Sequence, residues 1–300
     1  MQYFNLIIGA GFVGCVLAEQ LRGAGLEVGA LTRSNARHAR LENCGAHPRA
    51  VDIFDNRVFA AALRDYVRHD QIRVFFLLPP SALADGHLDT VIEVLRYAFE
   101  ERLARIVVAS STGVYGEGLG EQVSAATIPK LDNDRARRIF GIERAWQRLG
   151  SMVRICRLAG LYGPGRIIGE RQLRAGESFD GNGDETINLI YVDDAAAALT
   201  AHAESKHAYA VELVTDGSPV LRKHLYAHTA ELLGAPAPQF AGATRVRGSR
   251  TCDPQLSFER LGWRPAIGSY KEGLARALGN SPASGRAANP AVNPAIDKGT

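Results

Sequence analysis

The fold is decided by the stretch Phe4-Asn5-Leu6-Ile7-Ile8-Gly9-Ala10-Gly11-Phe12-Val13-Gly14. A mostly apolar run of strand length is followed at once by a G-x-G-x-x-G pattern. In such a turn the first glycine permits a tight bend, the second lets the backbone approach a pyrophosphate, and the third lets the helix pack against the strand. We therefore predict that a dinucleotide binds at this helix amino terminus, on Gly9, Gly11, Phe12, Val13 and Gly14.

Outward from this stretch, apolar runs of strand length alternate with helical patterns. The predicted strands are 4–8, 28–31, 49–52, 73–78, 105–110 and 152–158, and the predicted helices are 13–22, 58–68, 88–102 and 134–149. Continuous apolar runs suit strands that are buried on both faces. The order predicts an α/β fold of the Rossmann type, with a doubly wound parallel sheet.

The sequence also predicts how the chain is divided. Residues 1–160 form the dinucleotide-binding core. From residue 161 the alternation weakens into glycine-rich turns and short elements, with helices near 194–203 and 221–233, which indicates a smaller C-terminal substrate lobe over 161–278 with a chain return to the core. Residues 279–300 are rich in Ala, Asn, Pro, Ser and Gly, so we expect a flexible tail.

Composition narrows the class of protein. The 300 residues are 46% hydrophobic and 22% charged, which argues against disorder. There is no apolar run near the roughly 20 residues that span a bilayer and no signal-peptide pattern. The four cysteines are scattered, and the net charge of +3 does not indicate nucleic-acid binding. We expect a cytoplasmic protein with a small-molecule substrate and with no metal, nucleic-acid or membrane partner.

The end of the second predicted strand bears on the choice of cofactor. An NAD-selective site usually places an acidic residue there, on the ribose hydroxyls. This chain has Thr32, Arg33, Ser34 and Arg37 instead. Arg33 offers a fork of donors for a 2′-phosphate, so the sequence favours NADP(H) over NAD(H). Solvated charges at a helix start are the alternative interpretation of both arginines.

Two more segments follow predicted strands and are assigned to the cofactor. Asp52, with Ile53, is placed to accept a hydrogen bond from the adenine amino group, and an N-cap role for Asp52 is an equally open interpretation. Leu78, Pro79 and Pro80 follow the fourth strand, at the sheet edge where doubly wound folds bind ligands. We expect these three residues to form a wall beside the cofactor.

Several motifs together resemble the extended short-chain dehydrogenase/reductase superfamily, the NAD(P)-dependent epimerase/dehydratases, in its atypical branch. They are the glycine fingerprint, Ser110-Ser111-Thr112-Gly113-Val114-Tyr115-Gly116, Arg157-Leu158-Ala159-Gly160-Leu161-Tyr162-Gly163-Pro164-Gly165-Arg166, Tyr191-Val192-Asp193-Asp194 and Leu261-Gly262-Trp263-Arg264-Pro265. The resemblance implies that Ser110 and Gly160 contact the cofactor and that Ser111 is the catalytic serine. It also implies a homodimer formed through helices 88–102 and 134–149.

The chain departs from this family at the catalytic helix, which normally carries a Tyr and a Lys four residues apart. Helix 134–149 contains neither. One alignment places Arg135 and Ile139 at the two positions, and a second places Phe140 and Arg144 there. Arginine is effectively always protonated and phenylalanine has no proton to give, so neither replaces the phenol as an acid or base.

Other residues are therefore candidates for proton transfer and substrate binding. Tyr115, near Ser111, is a substitute acid, although a structural role is also open. His87 titrates near neutrality, although a loop histidine is often only solvated. Thr112, Arg135 and Arg166 are candidates for binding a substrate carboxylate or phosphate, with a solvated basic surface as the alternative.

Three functions remain open at this level. The first is an NADP(H)-dependent oxidoreductase or epimerase/dehydratase-like enzyme that acts on a small polar metabolite. The second is a non-enzymatic NADP(H)-binding sensor or regulator. The third is a non-redox isomerase or cyclase that uses the same pocket, because fold alone does not separate these functions.

Overall fold

The computed structural model describes residues 3–83, 86–206, 210–242 and 249–279. The strands are β1 Phe4–Ile8, β2 Val28–Thr32, β3 His47–Ala50, β4 Ile72–Phe76, β5 Leu103–Ser111, β6 Leu119–Val123, β7 Val153–Leu158, β8 Gly160–Tyr162, β9 Phe179–Asp180, β10 Thr186–Ile187, β11 Leu189–Tyr191, β12 Val211–Val214, β13 Val220–Leu221, β14 Phe240–Ala241 and β15 Ser249–Cys252. The helices are α1 Phe12–Gly23, α2 His38–Asn43, α3 Asn56–Leu63, α4 His87–Phe99, α5 Asp134–Gln147, α6 Glu170–Ala175, α7 Val192–Glu204, α8 Arg222–Leu233, α9 Gln255–Leu261 and α10 Tyr270–Ala277. The expected flexible tail lies outside the described residues, apart from Gly279.

Seven strands form the central sheet, in the order β12-β7-β5-β4-β1-β2-β3. Every neighbouring pair is parallel. The chain winds outward in both directions from β1 and β4, which confirms the predicted Rossmann-type fold and places the topological switch point between these two strands. The predicted third strand, 49–52, was misplaced. It is the edge strand β3 at His47–Ala50, where Pro48 is tolerated because an edge strand has one unpaired side.

Side chains of each strand alternate between two apolar cores. On one face Ile7, Phe75 and Val107 pack against α1 and α7. On the other face Ile8, Phe76 and neighbouring residues pack against α3, α4 and the indole of Trp146 from α5. α4 and α5 lie side by side on this second face, and association of two chains through them stays a prediction. No helix in the described ranges is long and apolar enough to cross a membrane.

The chain beyond residue 161 contributes to the central layers as well as to smaller sheets. α7 packs on α1, and β12 pairs with β7 at the edge of the central sheet. The smaller pairs are β8 with β11, β6 with β15, β10 with β13 and β9 with β14. Asp194, in the first turn of α7, accepts hydrogen bonds from the amides of Ala266 and Ile267, at 2.8 and 2.9 Å, and so fastens the C-terminal segment to this helix.

Asp216 is a buried carboxyl just beyond β12. Its side chain accepts a hydrogen bond from the Ser218 amide at 2.9 Å, while its Oδ2 atom is buried without a partner among the described residues. Burial, with a smaller contribution from the nearby charge of Asp194, raises the pKa of Asp216 to about 7. The folded protein therefore favours the protonated form of this side chain.

We predict that this carboxyl makes stability fall as pH rises. Because the pKa is about 7 in the folded state and near 3.8 in the unfolded state, the folded state holds the extra proton between these values. Unfolding free energy should decrease through this window by about 2–4 kcal/mol and level off above it. Asp216→Asn should flatten the profile in urea titrations, whereas the exposed control Asp70→Asn should keep it. An Asp216→Asn profile as steep as the original would contradict the assignment.

Candidate functional site

The switch point brings the glycine turn against the segment that follows β4. Gly9 has a φ of +88°, and a Cβ there would lie 2.8 Å from Leu78 Cδ1. A Cβ on Gly14 would lie 3.1 Å from the Gly9 carbonyl oxygen and 3.2 Å from Ile7 Cγ2. A Cβ on Gly11 would meet only the Gly9 oxygen, at 3.8 Å. Gly9 and Gly14 are thus required by the protein itself, while the space at Gly11 is left for a ligand.

The backbone amides of the first turn of α1 border the open space at Gly11. Gly11 is the residue before the helix, Phe12 and Val13 begin it, and its first turn carries no acidic side chain. The first amides of a helix have no intrahelical acceptor, and the helix dipole favours an anion there. The Arg166 guanidinium lies 5.4 Å from the Phe12 ring centroid, so Arg166 stands beside the glycine turn. The role of Arg166 in substrate binding stays a prediction.

The residues after β2 divide into exposed and buried groups. Arg33, Ser34 and Arg37 are exposed, and their side chains have no hydrogen-bond partner in the part of the chain that the structure describes. Thr32 is 8% exposed, and its hydroxyl lies 2.8 Å from His38 Nε2 and donates to the Arg49 carbonyl at 3.2 Å. The Thr32 hydroxyl is thus engaged by protein groups, and its contact with the cofactor stays a prediction.

The turn after β3 also differs from the prediction. Asp52 accepts a hydrogen bond from the Phe54 amide at 3.0 Å and forms a local turn. Asp55 is the N-cap of α3, because its side chain accepts from the amides of Arg57 and Val58. The N-cap interpretation of Asp52 is wrong, and its contact with adenine stays a prediction. Ile53 is buried in the second core, so only its backbone is available to a ligand.

Two further predicted positions have structural explanations. A Cβ on Gly160 would lie 3.0 Å from the Asn188 carbonyl oxygen, so pairing of β8 with β11 already requires this glycine. His87 begins α4, where its ring lies 5.3 Å from the Phe54 ring. This contact places His87 beside the turn that precedes α3 rather than beside Ser111. Pro79 and Pro80 lead into a short 3₁₀ turn behind Leu78.

Ser111 ends β5 and lies at the centre of the proposed catalytic region. Its Oγ accepts a hydrogen bond from the Gly113 amide at 3.1 Å, which leaves its own proton free to donate. A Cβ on Gly113 would lie 3.1 Å from both Arg135 Nε and Ile139 Cδ1, and 3.4 Å from Ser111 Oγ. Arg135 and Ile139, one helical turn apart on α5, therefore meet the turn after Ser111. Phe140 is partly buried and packs against the apolar cluster that contains Ile139, Val114 and Tyr115.

Arg250 of β15 is a second cation at this turn, and it stands in no motif from which it could have been predicted. Its guanidinium donates to the carbonyl of Thr112, at 2.5 Å, and to that of Gly116. Burial, with a smaller contribution from the charge on nearby Arg135, lowers the pKa of Arg250. Thr112 thus contributes its backbone to an arginine that the protein supplies, and Arg135 and Arg250 place two cations at this turn, with the carboxylates of Glu121 and Asp132 nearby.

A buried polar network lies behind Ser111. Arg157 donates to both carboxylate oxygens of Glu143, at 3.0 and 2.7 Å, and Ser110 donates to the same carboxylate at 2.6 Å. Tyr115, 1% exposed, donates to the Ser124 carbonyl at 2.7 Å and accepts from Arg157 at 3.1 Å. Burial raises the pKa of the Tyr115 phenol.

This network bears on two predictions. The contact of Ser110 with the cofactor stays a prediction, and the contacts of Tyr115 favour the structural role that was the alternative to a substitute acid. Both hydroxyls are committed to buried protein groups, and a phenol without solvent access and with a raised pKa is unsuited to proton transfer. Within the described residues, no group of His, Cys, Asp and Glu side chains is arranged to hold a metal ion.

Comparison with known proteins assigns the chain to a family. The sequence matches the NAD-dependent epimerase/dehydratase family over residues 5–212. The chain belongs to this family. It is 28% identical to the protein YeeZ of Escherichia coli K12 over 270 residues, which are 84% of this chain and 94% of YeeZ.

Solved structures share the fold of this chain. MoeE5, in a complex with UDP-glucose and NAD, is similar with a TM-score of 0.74 and 24% identity over 92% of this chain and 97% of MoeE5. UDP-glucose 4-epimerase of Thermotoga maritima, solved with UDP-glucose, has a TM-score of 0.75 and 20% identity over 92% of this chain and 98% of that one. These likenesses confirm the fold of the whole described chain.

We predict that a single methyl group at Gly11 weakens cofactor binding without affecting folding. Gly11→Ala should weaken dinucleotide binding by at least about tenfold, because the methyl occupies the space left for a phosphate. The melting temperature without cofactor should stay unchanged, since the methyl contacts only one oxygen at 3.8 Å. Gly14→Ala should instead lower it, and Gly23→Ala, in open space, is the matched control. Calorimetric affinity of Gly11→Ala equal to that of the unmodified protein would exclude this turn as the phosphate site.

Proposed function

We propose that this chain is an NADP(H)-dependent enzyme that reduces a carbonyl group of a small anionic metabolite. The observation that carries the proposal is the convergence of Arg135, Ile139 and Ser111 on the turn after β5. The family resemblance implies a Tyr and a Lys on this helix. Here a fixed cation and an apolar side chain meet the same turn, next to a serine hydroxyl.

The dinucleotide fits the residues present. Gly11 leaves room for a pyrophosphate at the first amides of α1, and Arg166 adds positive charge beside it. At the end of β2, the free guanidinium of Arg33 takes the position where an NAD-selective site has a carboxylate. These features support NADP(H) as the preferred cofactor, with Ser34 and Arg37 as further contacts of its 2′-phosphate.

The charge on Arg135 suits a step in which negative charge develops on the substrate oxygen, as in carbonyl reduction. Oxidation of a hydroxyl group requires a base to take its proton, and arginine remains protonated at all working pH values. Reduction of a carbonyl instead develops negative charge on oxygen, which a fixed cation and a hydroxyl donor stabilise. The bound nicotinamide would supply the hydride. Arg135 and the free proton of Ser111 would then hold the developing oxyanion until water protonates it.

The two cations at the turn after β5 also support an anionic substrate. Arg135 is exposed and has no ion-pair partner within the described residues, and Arg250 lies nearby. Two of the similar structures were solved with UDP-glucose, itself an anion, which is consistent with a phosphate-bearing or carboxylate-bearing substrate for this chain.

A second candidate function is a non-enzymatic NADP(H)-binding regulator. It is favoured by Tyr115 and Ile139, since the first is buried in a network and the second is apolar, so the region offers no group that titrates near neutrality. Oxidation of NADPH by a panel of carbonyl compounds separates the two candidates. Turnover of any of them supports the enzyme, and tight NADPH binding with no turnover supports the regulator.

We predict that Arg33→Asp reverses the cofactor preference. The substitution replaces a donor fork with a like charge at the 2′-phosphate, so NADPH affinity should fall about ten- to a hundredfold while NADH affinity changes little. Calorimetry of both cofactors provides the measurement, and Arg96→Asp, an exposed arginine on α4, is the control for added negative charge. Equal affinities of the unmodified protein for NADPH and NADH would refute the assignment.

We predict that catalysis depends on Ser111 and Arg135 but not on Tyr115. Ser111→Ala and Arg135→Met should each lower kcat by about 10²-fold on any accepted carbonyl compound, with NADPH affinity nearly unchanged. Tyr115→Phe should retain kcat and lose about 1 kcal/mol of stability, because only its buried hydrogen bonds are removed. Full turnover by Ser111→Ala and Arg135→Met would move the chemistry elsewhere in the pocket.

A further inference from the structure

Three arginines lie at the amino-terminal edge of the central sheet, opposite the edge that carries the glycine turn. Arg73 of β4 pairs in register with Arg105 of β5, and Arg154 of β7 pairs with Val107, two residues beyond Arg105. Side chains alternate along strands, so all three arginines share the face on which Phe75, Val107 and Cys156 pack against α1 and α7. Adjacent strands are about 4.8 Å apart, which brings like charges close together.

The positive charge of only one of the three arginines, Arg73, is well compensated by neighbouring groups. Arg73 stacks on the Tyr3 ring at 3.7 Å and pairs with Glu204 at 3.3 Å, and its side chain is 11% exposed. Arg105 and Arg154 form no ion pair among the described residues. The one hydrogen bond that Arg154 makes there is to the Ser151 carbonyl, at 3.2 Å.

The two remaining arginines have donors that nothing satisfies. Nη1 of Arg105 and Nε of Arg154 are buried and have no hydrogen-bond partner in the described part of the chain. Burial and the charge of Arg73 lower the pKa of Arg105, and burial and the charge of Arg105 lower that of Arg154. A buried donor on a charged group is costly when unpaired, so this arrangement calls for an acceptor.

The protein supplies only part of the required negative charge. α7 ends at Glu204 on this side of the sheet, and the carboxyl end of a helix carries a partial negative charge. The Glu204 carboxylate is engaged with Arg73, and Glu212, the acidic residue nearest to Arg154, is buried with its carboxylate accepting from Ser257 at 2.7 Å. Neither group reaches the free donors of Arg105 and Arg154.

We propose that Arg105 and Arg154 bind a small oxyanion, a phosphate or carboxylate group, and that the positive charge of nearby Arg73 adds to the electrostatic attraction. The guanidinium fork matches the oxygens of both groups. Both side chains are partly exposed, so an anion reaches the guanidinium groups from solvent, and the buried Nη1 of Arg105 and Nε of Arg154 turn toward it. The site lies at the opposite sheet edge from the glycine turn and from Ser111. It is thus a second ligand site, independent of the proposed reaction.

The test compares the melting temperature of the full chain in inorganic phosphate and in chloride at the same ionic strength. A parallel measurement in acetate tests a carboxylate. Either anion, if it binds, should raise the melting temperature by about 2 °C or more, and the shift should persist with saturating NADPH. The anion that gives the larger shift identifies the preferred group. Arg105→Met and Arg154→Met should abolish the shift, while Arg96→Met, an exposed arginine on α4, should keep it.

The variants also report on the site without any ligand. Relief of repulsion and removal of an unpaired donor should leave Arg105→Met and Arg154→Met at least as stable as the unmodified protein in chloride. Three results would overturn the proposal. They are no shift with either anion, a shift that survives in Arg105→Met, and a clear loss of stability in both variants, which would show that protein groups already satisfy these arginines.

Discussion

The buried ion pair between Arg157 and Glu143 is the interaction on which the carboxyl end of the central sheet depends. It joins the end of β7 to the middle of α5 through two hydrogen bonds in a region where both side chains are almost fully buried. Loss of one partner would leave the other charge buried and uncompensated, which costs about 3–5 kcal/mol. Ser110 and Tyr115 bind the same pair, so the pair also fixes the turn that carries Ser111.

The same ion pair decides which face of α5 meets that turn. Residues three to four positions apart lie on one face of a helix. With Glu143 held inside, Ile139 and Arg135 occupy the two preceding turns on the same side, and both meet Gly113. The alignment that places Phe140 and Arg144 at the catalytic positions is therefore disfavoured by the packing. The buried pair of Arg157 and Glu143 thus determines which side chains of α5 face the turn after Ser111.

The sequence predicted the parts of the molecule that depend on local pattern. Buried strands such as Phe4–Ile8 have continuous apolar runs, and the positive φ of Gly9 and the close approach of Gly14 to the Gly9 carbonyl oxygen are properties of the glycine turn itself. The edge strand His47–Ala50 was misplaced because it is mostly exposed, so no apolar run marks it. Helix 58–68 was extended too far because a 3₁₀ turn at Arg64–Tyr66 continues the apolar pattern after α3 ends at Leu63.

Contacts between distant segments could not be predicted in this way. The hydroxyls of Thr32, Ser110 and Tyr115 were assigned to ligands because their positions at strand ends suit ligand contacts. Their actual partners come from other elements, and hydrogen bonding between such elements leaves no periodic signal. Arg250 illustrates the opposite error, a residue at the site that was not predicted. It hydrogen-bonds to the turn after Ser111 from 134 to 138 residues away in the sequence, and it stands in no motif.

Ile139 explains in physical terms how this chain keeps a cofactor site while its catalytic helix differs from the family pattern. Its side chain is 2% exposed and packs with Val114, Tyr115 and Leu213. A lysine there would have to bury its ammonium group until a cofactor ribose partnered it, which costs several kcal/mol without the cofactor. Isoleucine instead gains about 1.5–3 kcal/mol from burial in the same place. The glycine turn is unaffected, because its geometry depends on β1 and β4 and not on α5, so binding of the dinucleotide and proton transfer can change independently in this fold.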